Sequence, residues 1–109
     1  MKIAFATGDG VHVNEQFRRA SQLAVYEVSA AGFRLVRVCT FAEDRSVKTD
    51  QRIQAIADVA IVYGVAYGPS SVLRLARRGL RPATTPAGTP IESVLRTFVE
   101  AAREAPPAP

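Results

Sequence analysis

The chain has 109 residues, 48% hydrophobic and 22% charged, which suits one soluble domain with one core. Its net charge of +4, from 14 Lys and Arg against 10 Asp and Glu, favours an anionic partner, but the arginines are dispersed and form no nucleic-acid-binding run. No apolar run approaches the roughly 20 residues of a membrane span, no signal peptide precedes the opening strand, and the single Cys39 excludes an intrachain disulfide or CxxC site; a cytoplasmic protein is expected.

Lys2 to Thr7 (KIAFAT) reads as a short strand ended by Gly8-Asp9-Gly10, where two glycines supply positive φ around an aspartate that bonds locally. Leu23 to Ser29 and Phe33 to Phe41 read as two further strands joined by the hairpin-length Ala30-Ala31-Gly32. With no helix between them, these strands should pair antiparallel. Residues 42 to 50 are polar and loop-like. From about Thr49 the period turns helical, with Ile53, Ile56 and Ala57 on one face.

Val59 to Tyr63 (VAIVY) is a continuous apolar run, as expected of a central strand covered on both faces. Pro69 opens a second helix, which should bury Val72, Leu73, Leu75 and Ala76 and stop at Gly79. Leu80 to Thr84 reads as a strand that Pro82 confines to an edge. In Thr89-Pro90-Ile91-Glu92, Thr89 fits an N-cap, Pro90 fits the first helical position, and Glu92 closes a capping box. The helix beyond it should bury Ile91, Leu95, Phe98, Val99 and Ala102, with Glu92, Arg96, Glu100 and Glu104 on the opposite face.

The order β-β-β-α-β-α-β-α predicts an α/β fold, a five-stranded mixed sheet flanked by helices in the ribonuclease H-like layout. Right-handed crossovers place the VAIVY strand beside the first. One domain over residues 1–104 is expected, followed by a disordered tail, 105–109, whose prolines cannot continue a helix.

Nuclease chemistry on this layout needs several converging carboxylates, and KIAFAT carries none. No nucleophile elbow, Walker loop or GxGxxG motif is present. Two candidate ligand loops remain. One runs from Gly8 to Ala20 and gathers Gly8, Asp9, Gly10, Asn14, Gln16, Arg18, Arg19 and the only histidine, His12. The other runs from Gly64 to Ser71, where Gly64, Gly68, Ser70 and Ser71 lead a strand into a helix N-terminus suited to an anion. The expected topology puts both loops at the same end of neighbouring strands, as one pocket.

Beyond these readings, the chain resembles the dinitrogenase iron–molybdenum cofactor-biosynthesis family. The resemblance rests on the run Lys2 to Thr7, Asp9-Gly10, Val13, Phe17, Ala20 and Val25-Tyr26. It continues through Ala60 to Tyr63, Gly68-Pro69, Arg78-Gly79-Leu80-Arg81-Pro82 and Gly88 to Glu92. It implies non-covalent, transient binding of an anionic iron–sulfur cofactor precursor, without turnover, and partners among the nitrogenase cofactor-assembly proteins. The family commonly shows Val-x-x-His-Phe-Gly-x-Ala in the first loop. Here that stretch is Val13-Asn14-Glu15-Gln16-Phe17-Arg18-Arg19-Ala20, with Gln16 for the histidine and Arg18 for the glycine. Imidazole ligates iron and a carboxamide does so poorly, so His12 becomes the expected metal ligand, with Arg18, Arg19 and Lys48 or Arg52 neutralising charge. The alternative is a metal-free module of the same fold that binds a small anion or a protein.

Overall fold

The computed structural model describes residues 1–41 and 49–105. The polar stretch 42–48, with Glu43, Asp44 and Lys48, and the expected tail beyond Ala105 lie outside the described residues. The elements in chain order are β1 (Lys2–Thr7), β2 (His12–Val13), a 3-10 turn (Phe17–Arg19), β3 (Gln22–Ser29), β4 (Gly32–Thr40), α1 (Thr49–Ala55), β5 (Ile61–Gly64), α2 (Pro69–Arg77), β6 (Arg81–Thr84), β7 (Thr89–Pro90) and α3 (Ile91–Glu104).

The main sheet has the order β4-β3-β1-β5-β6. β1 pairs antiparallel with β3 and parallel with β5, which fulfils the expected ribonuclease H-like arrangement. β3 and β4 form the expected hairpin, with a bulge between Val25 and Tyr26. β6 lies at the edge, where Pro82 leaves no ladder bond unmade.

Alternation along the strands divides the core into two layers. Ala4, Ala6, Leu23, Val25 and Val62 face α1 and α2, while Ile3, Phe5 and Val28 face α3. On the α3 side Phe5 stacks on Tyr63, with centroids 5.5 Å apart, and meets Tyr26 edge-on at 5.8 Å. At the far end of β1 from the candidate loops, Asp58 accepts from Lys2 Nζ at 3.0 Å and from the Arg37 guanidinium. The Arg37 contact holds the Asp58 carboxyl well below the usual carboxylate range.

The helices depart from expectation in instructive ways. α1 ends at Ala55, so Ile56 is buried beyond the helix, Ala57 is exposed, and the α1 side chains that go inside are Ile53 and Arg52. α2 ends in a Schellman motif at Gly79, whose N–H bonds Ala76 O at 3.0 Å while Leu80 N–H bonds Leu75 O at 3.0 Å. Its inward residues are Ser71 and Leu75 alone. Val72 and Leu73 are 39% and 59% exposed, and Ala76 is exposed as well. α3 buries Ile91, Leu95 and Val99, half-buries Phe98, and leaves Ala102 outside near its end.

The capping box at Thr89 does not form. α3 starts at Ile91, after Pro90 in extended backbone, with no side-chain cap. Thr89 instead pairs with Val13 in the two-stranded β2–β7 sheet, and its hydroxyl donates to Pro86 O at 2.6 Å. Ile91 N–H is taken by Val11 O at 2.9 Å, and Glu92 bonds Arg96 at 2.6 Å instead of reaching back. The local pattern loses to a tertiary pairing that draws Thr89 into β7 and satisfies the Ile91 N–H at the helix start, while Thr89 N–H bonds Pro86 O at 3.1 Å. No helix among the described residues is long and apolar enough to cross a membrane.

Candidate functional site

Thr7, the last residue of β1, is fully buried, and its hydroxyl organises the turn that follows. It accepts the N–H of Gly10 at 2.9 Å and of Asp9 at 3.3 Å, and donates to Asp9 Oδ1 at 3.1 Å. Asp9 Oδ1 also accepts the N–H groups of Val11 at 2.8 Å and His12 at 2.9 Å. Asp9 Oδ2 lies 2.7 Å from His12 Nδ1. These donors, the His12 side chain first, hold the Asp9 carboxyl far below its ordinary range. An ionised Asp9 can only accept, so Nδ1 carries a proton and neutral His12 keeps its lone pair on Nε2. Of the two glycines expected at positive φ, only Gly10 adopts it, at 77°. Gly8 instead donates its N–H to Asn14 Oδ1 at 2.8 Å, which closes the loop from the other side.

The second half of this loop docks on the Gly64 to Ser71 loop through backbone. Val65 N–H donates to Glu15 O at 3.0 Å, and Phe17 N–H donates to Ala66 O at 3.4 Å. Gly64 lies directly under this junction: a Cβ there would stand in contact with it, 3.4 Å from Phe17 N and 3.5 Å from Glu15 O, with no room for a longer side chain beyond. Below the junction the Phe17 and Tyr67 rings lie 5.7 Å apart, and Tyr67 Oη donates to Val62 O at 2.6 Å. Burial pushes the Tyr67 phenol up. The two loops thus converge as expected. β7 lies against the first loop, with His12 paired opposite Pro90 and Val13 opposite Thr89.

Around this junction Gln16, Arg18 and Arg19 are exposed, and neither arginine forms an ion pair among the described residues. Gly68 precedes α2 in extended backbone with no side-chain cap, and Pro69 takes the first helical position. The first ladder bond is Val72 N–H to Gly68 O at 3.2 Å, so the amides of Ser70 and Ser71 precede the ladder. The Ser70 side chain is exposed, whereas that of Ser71 is buried.

Two expectations need correction or fall away. Arg52 is no surface cation. It is 95% buried by its 5% exposure, bonds Ala20 O through Nη1, and lies with its guanidinium carbon 4.5 Å from the Phe41 ring centroid. Its Nε is buried without a hydrogen-bond partner among the described residues, and desolvation lowers its basicity. It braces the end of the first loop from beneath, because α1 turns it inward. Lys48 lies outside the described residues. Thr7 and Glu15 were missed by sequence reasoning. A threonine just before Gly-Asp-Gly is a readable turn signal, but Glu15 acts through its carbonyl, which no side-chain pattern announces. Among the described residues no three His, Cys, Asp or Glu side chains gather as a metal-holding group. Cys39 stands opposite Leu23 on β4, with Sγ 3.7 Å from Ala55 O.

Comparison with known proteins gives a consistent picture. A family model described as dinitrogenase iron-molybdenum cofactor matches residues 1–101. Protein NifX of Klebsiella pneumoniae is 34% identical over 99 residues, covering 88% of this chain and 64% of the relative. Protein NifX of Rhodobacter capsulatus is 30% identical over 104 residues, covering 87% and 65%. Protein NifX of Herbaspirillum seropedicae is 31% identical over 111 residues, covering 97% and 76%. The chain therefore spans just under two thirds of the length of the first two of these relatives. In fold it is similar to the apo form of the orange protein from Desulfovibrio gigas, with a TM-score of 0.70 at 16% identity, covering 99% of this chain and 94% of that one.

Proposed function

The chain belongs to the dinitrogenase iron-molybdenum cofactor family, and on that premise we propose that it acts in nitrogenase cofactor biosynthesis as a non-enzymatic carrier. Its cargo is an anionic iron–sulfur precursor of the iron–molybdenum cofactor, held between the Gly8–Ala20 and Gly64–Ser71 loops and passed to cofactor-assembly proteins. The observation that carries this reading is the backbone junction between the two loops, Val65 to Glu15 and Phe17 to Ala66. It joins the loop that carries exposed Arg18 and Arg19 to the loop that leads into the uncapped start of α2. Both favour negative charge.

His12 supplies the ligand chemistry. With Nδ1 committed to Asp9, its Nε2 lone pair is oriented as in carboxylate–histidine–metal arrangements. A single imidazole without a thiolate set gives loose ligation, which suits cargo that is given away. Anaerobic loading with purified cofactor precursor, followed by visible absorbance and iron content, tests the reading. His12→Ala should abolish most binding, and Asp9→Asn should weaken it by about tenfold or more through misorientation of the imidazole. Gln16→His should strengthen it by supplying a second imidazole. Unchanged loading in His12→Ala and Gln16→His would remove His12 and this loop from iron ligation.

Gln16 and Arg18 favour a second reading, a metal-free anion-binding module. In that case sulfate or phosphate would shift the amide signals of both loops in parent protein that takes up no iron.

A further inference from the structure

α2 carries an apolar stripe that the fold does not use. Pro69, Val72, Leu73 and Ala76 follow the i, i+3, i+4, i+7 spacing of one helix face, and all four are exposed. The helix is held to the sheet by Ser71 and Leu75, which lie on a neighbouring face. Sequence patterned for burial is thus left in solvent, with Leu73 at 59% and Val72 at 39% exposure. Cations flank it. Arg77 stands one turn from Leu73, Arg78 follows at the C-terminal end, and neither forms an ion pair among the described residues. Arg74 reaches Asp50 at 3.4 Å, with both side chains largely in solvent.

We propose that this outer face of α2 docks a protein whose own surface is apolar at its centre and acidic at its rim. The inference extends the carrier reading, because the stripe begins at Pro69, immediately after Gly68 of the candidate loops. A partner seated there stands beside the cargo. Charge selects the occupant. A second copy would bring a further net charge of +4 and its own Arg77 and Arg78 to the contact, which like-charge repulsion opposes. An anionic membrane would suit the arginines, but surface-seeking helices bring aromatic or long apolar faces. This stripe is Pro, Val, Leu and Ala on a nine-residue helix. A helix of that length, about 13 Å, makes a small contact, in the range of transient complexes. That fits a carrier that must let go.

The test measures binding of the chain to purified nitrogenase cofactor-assembly proteins, one at a time, at low and at moderate salt. Leu73→Glu and Arg77→Glu are the probing variants, with Leu73→Ala as a milder one. At least one assembly protein should bind, each charged variant should weaken that binding about tenfold or more, and added salt should weaken the parent complex. Both positions are exposed, so thermal melts of the variants should match the parent. The proposal is overturned if no assembly protein binds, or if the variants bind as tightly as the parent. It is also overturned if α2 is the contact in self-association by sedimentation, or if the variants instead lose binding to phosphatidylserine vesicles. Cargo loading of the same variants keeps the two readings apart. Normal loading with lost docking supports both. Failed loading in the parent with intact α2 docking removes only the carrier reading, and normal loading with indifferent variants removes only the docking surface.

Discussion

α2 and α3 are both amphipathic helices packed on the same sheet, one on each face, yet they spend their apolar residues differently. α3 turns Ile91, Leu95 and Val99 into the core layer built on Ile3, Phe5 and Val28. α2 contributes Leu75 and Ser71 to the opposite layer and leaves Val72, Leu73 and Ala76 in solvent. The cause lies in their neighbours. α3 lies across β3 and β4 as the one helix of its layer among the described residues. α2 shares its layer with α1, and Ile53 and Ile56 stand in that core cluster beside Leu75, the residue through which α2 enters it. Amphipathicity thus states that a face is to be covered, and only the surrounding elements state whether this chain covers it.

The sharpest break in the comparison comes from leucine truncation. Leu95→Ala should cost about 3 kcal/mol, and Leu75→Ala a similar amount, because both side chains are wholly buried. Leu73→Ala, on the open stripe, should stay within about 0.5 kcal/mol. Urea melts of the three variants check this, and an equally large loss at Leu73 would mean that the stripe is covered within the monomer.

The entries to the two helices give the next largest effects. Gly64→Val forces a branched side chain into the junction ahead of α2 and should cost about 1–3 kcal/mol, with loss of amide protection at Val65 and Phe17. Ahead of α3, Thr89→Ala removes one hydroxyl donor to Pro86 O and should cost about 1 kcal/mol. If α3 frayed in that variant by circular dichroism, Thr89 would be acting as a cap after all.

Beside the entry to α3, Asp9 makes a pH-dependent contribution. Its folded carboxyl lies below its ordinary value of 3.8. The stabilisation is therefore present above that value and lost as pH falls through the lower, folded one. Asp9→Asn should be less stable than the parent at neutral pH, and the gap should narrow only under strongly acid conditions. A constant gap across the acid limb would deny the linkage. The smallest effect belongs to the exposed Glu92–Arg96 pair on α3, 2.6 Å apart, where Glu92→Gln should leave the melting midpoint unchanged within error.

The backbone frame of the candidate site is largely legible in the sequence. Gly8-Asp9-Gly10 announces its turn through residues within hydrogen-bond reach of one another, and Asp9 bonds to Val11 and His12 as such aspartates do. The meeting of the two loops followed from the handedness of the crossover between β1 and β5. Arg52 was misjudged because arginine is usually exposed. Its burial depends on the carbonyl of Ala20 and the ring of Phe41, which lie in other elements.

The same division runs through the whole chain. Strand alternation in KIAFAT, the hairpin at Ala30-Ala31, the edge placement of Pro82 and the helix stop at Gly79 are decided within a few residues, by φ preference, period and local hydrogen bonds, and each stands in the folded chain. The side of α2 that meets the core, the diversion of Thr89 from a cap into a strand, and the inward turn of Arg52 depend on groups distant in sequence. Backbone donors and apolar surface seek any partner that satisfies them, and which partner is within reach is a property of the assembled fold.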